Sequence, residues 1–186
     1  MAKTSTMVLV ADDSEDDIFL LQRGFEKAGI LVPMACVRDG EEALSWLEAV
    51  HANEDCGGSP WPTVILLDLK MPKVDGYGVL RWLQSRPLLR AVPVVVLSSS
   101  DLETDQTRVK ALGAREYYVK PTDFREYETL ARKIHERWLK SVDGPAENAE
   151  YKPVAISVAS PHKSLGQEVT GPNTPFQGSA NVVMFG

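Results

Sequence analysis

Thr63-Val64-Ile65-Leu66-Leu67-Asp68 is an unbroken apolar run that ends on a carboxylate. A strand with one wet face alternates polar and apolar residues. A run without alternation belongs to a strand covered on both faces, as in a parallel sheet held between helices. Val94-Val95-Val96-Leu97-Ser98 repeats the device and ends on a hydroxyl. Met7–Ala11, Met34–Val37 and Tyr117–Val119 are three further β-rich runs, which makes five.

Between successive runs the apolar residues fall at helical spacing. Ser14 is placed to cap a first helix, with Asp17 three residues on, Ile18, Leu21 and Phe25 facing inward, and Gly29 as the stop. Asp39 and Glu42 repeat that opening ahead of Ala43, Leu44 and Leu47. Val79, Leu80 and Leu83 mark a third helix, and Val109 and Leu112 before Gly113 a fourth. Phe124, Tyr127, Leu130, Ile134 and Trp138 mark a long fifth. The pattern predicts an α/β domain of (βα)5 type, a doubly wound parallel sheet with helices on both sides. In such sheets the ligand site lies beyond the carboxyl ends of the strands.

The chain has 186 residues, 44% of them hydrophobic and 25% charged, enough for one domain over residues 1–140 with length to spare. Residues 141–186 hold five glycines, five prolines and no sustained apolar period. This stretch is expected to form a disordered tail, because it buries too little surface to offset its ordering entropy. Val154–Val158 and the final Val-Val-Met-Phe-Gly are its candidates for strand pairing. The net charge of −6 gives no broad basic surface for nucleic acid or anionic lipid. No apolar run reaches the ~18 residues of a membrane helix, and the N-terminus lacks a signal peptide's core, so a cytoplasmic protein is expected. Cys36 and Cys56 read as reduced thiols.

The residues that terminate the strands carry the chemistry. Asp12 and Asp13 follow the first strand, Asp68 ends the third, Ser98 ends the fourth and Lys120 follows the fifth. Close carboxylates repel by about 4 kcal/mol per pair at an effective dielectric of 20, so a cation is required among them. Oxygen ligands with no imidazole or thiolate favour magnesium, with manganese as a substitute. Asp68 then serves as a carboxylate nucleophile for a phosphoryl group. Lys120, Ser98 and the backbone amides just after Asp68 are available for the three equatorial oxygens.

Val-Ala-Asp-Asp-Ser-Glu-Asp-Asp, Leu-Leu-Asp-Leu-Lys-Met-Pro-Lys-Val-Asp-Gly, Val-Leu-Ser-Ser-Ser and Tyr-Tyr-Val-Lys-Pro resemble the motifs of response-regulator receiver domains. They recur in order over residues 7–140, with 30 residues from Asp68 to Ser98 and 22 more to Lys120. Within that family the likeness is to stand-alone regulators paired with phytochrome-type histidine kinases. The resemblance implies a flavodoxin-like three-layer fold. It implies magnesium on Asp12, Asp13, Asp68 and the Lys70 backbone carbonyl, and aspartyl phosphate at Asp68. Ser98 becomes the switch hydroxyl and Tyr117 an aromatic ring that reorients.

It further implies a cis Lys120–Pro121 bond, with a trans proline opening the last helix as the alternative. Lys70 and Ser100 occupy positions that influence the lifetime of the phosphate. The implied partners are a histidine kinase or phosphotransfer protein, docking near Asp16, Asp17, Leu20 and Pro121, and a second copy through the fourth helix, fifth strand and fifth helix. Trp138 either adds to that face or packs in the core. Catalysis beyond self-phosphorylation and slow loss of the phosphate is not expected.

Three other readings weigh less. A haloacid-dehalogenase-type phosphatase wants an acid two residues after its nucleophile, where this chain has Lys70. A flavin-mononucleotide binder wants hydroxyls and glycines after the first strand, where Asp12 and Asp13 repel phosphate. A constitutive adaptor with a vestigial site is disfavoured by the intact set of five residues.

Overall fold

The computed structural model describes residues 6–52, 61–140 and 182–183. Five parallel strands are present: β1 (Val8–Ala11), β2 (Met34–Val37), β3 (Val64–Leu67), β4 (Val94–Ser98) and β5 (Glu116–Val119). They alternate with α1 (Glu15–Lys27), α2 (Gly40–Ala52), α3 (Gly76–Gln84), α4 (Glu103–Ala111) and α5 (Glu126–Ile134), and His135–Leu139 continues α5 as a turn of π-helix. Val182–Val183 forms β6, so the strand order is β5-β4-β3-β1-β2-β6. β6 runs antiparallel to β2, with Met34 opposite Val183 and Ala35 opposite Val182. The final Val-Val pair therefore joins the sheet; Val154–Val158 and Cys56 lie outside the described residues.

The apolar strands are buried on both faces, as their lack of alternation requires. Leu9, Ala11, Ile65, Leu67, Val94 and Val96 pack toward α2, α3 and Val109 of α4. Val8, Val10, Val64, Leu66, Val95 and Leu97 pack toward α1 and α5. The two helix layers differ in grip. α1 and α5 lie so close at Gly24 that a β-carbon there would sit 2.5 Å from the Tyr127 carbonyl oxygen. α4, in contrast, buries only Val109.

Local signals hold at most helix starts. The Ser14 hydroxyl accepts the Asp17 amide, and the Asp39 and Asp75 carboxylates accept those of Glu42 and Gly78. The fifth helix begins later than expected: Phe124 stays in the preceding turn, 44% exposed, with the Lys27 ammonium over its ring. The implied cis Lys120–Pro121 bond is corrected, since no peptide among the described residues is cis. The Asp123 carboxylate closes the turn after Pro121 by accepting the Arg125 amide, so the chain reverses without it. Trp138 packs against the α1/α5 core and donates its indole N–H to Glu116 at 3.1 Å, which is a core role. No described helix is long and apolar enough to cross a membrane.

In an ordinary helix Gly→Ala stabilises by about 1 kcal/mol. At Gly24 the collision with Tyr127 dominates, and Gly24→Ala is expected to destabilise by about 1–3 kcal/mol. Urea denaturation checks this; a stabilised variant would show that α1 and α5 are not locked together here.

Candidate functional site

The parallel register gathers the strand-terminal residues on one edge. Ala11 pairs with Leu67 and Leu67 with Val96, so Asp12, Asp68 and Ser98 emerge side by side from β1, β3 and β4. Lys120 follows β5, tied to β4 by its amide donating to the Ser98 carbonyl at 2.8 Å. Carboxylate oxygens of Asp12, Asp13 and Asp68 all lie within 4.8 Å of one another. Asp12 and Asp68 are buried and Asp13 is exposed, which leaves the cluster open to solvent on one side. Three hard-oxygen donors at this separation fit a hydrated divalent cation, and among the described residues no imidazole or thiolate joins them.

The Lys120 ammonium bridges the acids. It lies 2.8 Å from Asp12, 2.8 Å from Asp17 and 3.5 Å from Asp68. Burial opposes its charge, but these carboxylates outweigh burial and hold its pKa above the usual lysine range. Burial pushes Asp12 up to about 6 despite Lys120, and it likewise raises Asp68. Asp17 is the member that the sequence reading missed as a site residue. As an acid in the first turn of α1 it reads as a capping and docking residue. Its carboxylate instead reaches Lys120, with the Tyr127 hydroxyl 3.5 Å away.

The loop after Asp68 is fixed by its neighbours. The Lys70 amide donates to Asp68 Oδ2 at 3.1 Å, while the Lys70 side chain is exposed. A β-carbon on Gly76 would lie 2.3 Å from the Asp68 carbonyl oxygen, so only glycine lets α3 begin this close to the acid. Lys73 takes a left-handed backbone, φ 61°, and its ammonium sits 2.6 Å from Asp39 at the start of α2. Ser98 is fully buried, and its hydroxyl accepts the Ser100 amide at 3.2 Å. Tyr117 stands apart from the acids: its ring packs on the α2/α3 core and its hydroxyl donates to the Ser100 carbonyl at 2.7 Å.

The model of the response regulator receiver domain matches residues 8–132. The chain belongs to that family. It is 35% identical to a probable methanogenesis regulatory protein, FilR2, of Methanothrix harundinacea, over 74% of this chain and 86% of that one. It is 33% identical to the response regulator Rcp1 of Synechocystis sp., over 75% of this chain and 93% of that one. The manganese-bound crystal structure of Rcp1 superposes with a TM-score of 0.64, covering 76% of this chain and 99% of the other. The phosphorylated cyanobacterial phytochrome response regulator RcpA gives 0.65, at 33% identity and the same coverages. The receiver is thus homologous to phytochrome response regulators of two-component signalling, a family of signalling proteins.

In the metal-free receiver, Asp12 binds its proton more tightly folded than unfolded. Stability therefore falls as pH rises from its unperturbed 3.8 toward about 6. Asp12→Asn, which keeps an oxygen for the Ser14 amide, is expected to stabilise the metal-free protein at pH 7 by about 2 kcal/mol. Magnesium is expected to raise the Tm of the wild type and to leave that of the variant unchanged. Thermal denaturation with and without magnesium measures both; a less stable metal-free variant would contradict the assignment.

Proposed function

We propose that Asp68 accepts a phosphoryl group in a magnesium-dependent reaction and that the modified site switches a protein-binding face. The observation that carries this reading is the cluster of Asp12, Asp13 and Asp68 carboxylates, two of which, Asp12 and Asp68, lie against the Lys120 ammonium. Asp12, Asp13, Asp68 and the Lys70 carbonyl would hold a magnesium ion, with manganese as a substitute, and that ion would supply positive charge to the entering group. An Asp68 carboxylate oxygen attacks phosphorus, the bond from phosphorus to the donor's leaving atom breaks, and the leaving group departs with the electron pair.

Lys120 is already beside Asp68 and moves from Asp12 and Asp17 onto a phosphoryl oxygen. The Ser98 hydroxyl serves another, and the Lys70 amide, already on Asp68, is in place for a third. The added charge draws Ser98 toward the site, and Tyr117 communicates that shift to the face formed by α4, β5 and α5. The same groups give uptake from small phosphodonors and slow loss of the phosphate.

The natural donor in this reading is a histidine kinase or a phosphotransfer protein. The likeness to phytochrome regulators supports a phytochrome-type kinase, docking on α1 near Asp16 and Leu20 and on the loop at Pro121. An open groove of about 480 Å³ between α4 and β5, lined by Glu103, Lys110, Arg115, Tyr118 and Arg137, supports a protein partner there, including a second copy of the chain. We assign residues 1–140 to the receiver and 141–186 to an appended tail. The pairing of Val182–Val183 with β2 supports a tail that returns to the sheet edge.

Incubation with labelled acetyl phosphate and magnesium tests the acceptor. Wild type is expected to take up label that is lost on adding EDTA beforehand, and Asp68→Asn to take up less than about a tenth as much, because an amide cannot serve as the nucleophile. Equal labelling of the variant would reassign the acceptor.

A further inference from the structure

Ser100 ties together four elements. Its amide donates to the Ser98 hydroxyl at 3.2 Å, and its carbonyl accepts the Tyr117 hydroxyl at 2.7 Å. Its own hydroxyl donates to Asp105 Oδ2 at 2.6 Å, in the first turn of α4. The other oxygen of that carboxylate, Asp105 Oδ1, accepts the Tyr77 hydroxyl at 2.7 Å, from α3. The Arg108 guanidinium lies 4.1 Å from the centre of the Tyr77 ring. One carboxylate thus clamps the loop after β4 between two helices.

The clamp sits where little else holds α4. Only Val109 of that helix is buried, and Leu102, its N-cap, makes no side-chain capping bond. Elements with so little buried surface move at low cost. Hydrogen bonds to Ser100 and Tyr77, in that order, hold the Asp105 carboxyl below the usual carboxylate range, so it stays an ionised acceptor of two hydroxyls. Tyr77 is in turn pushed up to about 12 by burial and by Asp105, so it stays a donor.

We propose that Tyr77 and Asp105 are positioning residues that fix the Ser100 carbonyl against Tyr117, so that movement of Ser98 is delivered to Tyr117 and α4 instead of being absorbed in the loop. When the Ser98 hydroxyl turns to a phosphoryl oxygen, the Ser100 amide loses its acceptor. Ser100 then keeps its bonds to Asp105, braced by Tyr77, and to the Tyr117 hydroxyl. With Asp105 fixed, the displacement reaches Tyr117 and the start of α4. Without it, Ser100 relaxes locally and the α4–β5 face keeps its resting arrangement. The inference rests on Asp68 as the acceptor and adds residues that touch neither phosphate nor metal.

The test uses the full chain carrying 3-fluorotyrosine, followed by fluorine NMR before and after acetyl phosphate with magnesium. Bound phosphoryl is quantified in the same samples. Tyr77→Phe and Asp105→Ala are expected to take up phosphoryl as the wild type does, while the phosphorylation-induced shift of the Tyr117 signal falls by more than half. Asp105→Asn, which keeps one carbonyl acceptor, should restore part of that shift. A full Tyr117 shift in both Tyr77→Phe and Asp105→Ala overturns the proposal. Lost phosphoryl uptake in both variants also overturns it, because the two residues would then act on the transfer itself. Should Asp105→Ala fail to fold, Tyr77→Phe, which removes a single oxygen, decides the matter. No uptake by wild type refutes the acceptor reading, and this inference with it.

Discussion

Three carboxylates converge on one edge of the sheet, and the half-buried ammonium of Lys120 lies against two of them. Nothing in the packing of the domain calls for that arrangement; burial disfavours the ionised forms of Asp12 and Asp68, a cost that their attraction to Lys120 offsets only in part. The cost is tolerable because the rest of the domain is built around β1 to β4, whose apolar residues are almost wholly enclosed. It is useful because the site gains most from ligands that bring what it lacks: a divalent charge between the acids and an anionic group for Lys120 to follow. A site left in electrostatic debt binds both with more energy than a neutral one would.

The two sides of the sheet then divide the work. On one side α1 and α5 are locked through Gly24 and Tyr127, and through Asp17, which holds Lys120 from the first turn of α1. This side keeps the ammonium in register with Asp68. On the other side α4 is polar and shallowly seated, and Asp105 links it through Ser100 to Ser98 and Tyr117. A rigid side and a loose side suit the proposed switch, because a local change in charge can reposition a loose element without unfolding the core.

Much of this was legible in the sequence, and the reason is physical. Strands buried on both faces must be continuously apolar, so Val64–Leu67 and Val94–Leu97 announced themselves. A parallel sheet then forces the next polar residues, Asp12, Asp68 and Ser98, onto a common edge. What stayed hidden depends on where long side chains reach. Asp17 looks like any acid placed to complement a helix N-terminus, and only its proximity to a lysine 103 residues away reveals it as part of the site. Tyr77 and Asp105 are 28 residues apart and carry no shared motif. The trans bond at Pro121, the late start of α5 and the pairing of Val182–Val183 with β2 are set by tertiary fit, to which local preference is a weak guide.

In the proposed function one carboxylate among several neighbouring acids becomes an acyl phosphate, and only when a divalent metal is supplied. Borohydride reduction of the phosphodonor-treated protein, followed by tandem mass spectrometry, reads that position directly, since an aspartyl phosphate is reduced to homoserine. The account predicts homoserine at position 68 alone, and only in samples that contained magnesium. Homoserine at position 12, 13 or 17, or at position 68 without any divalent metal, would contradict it.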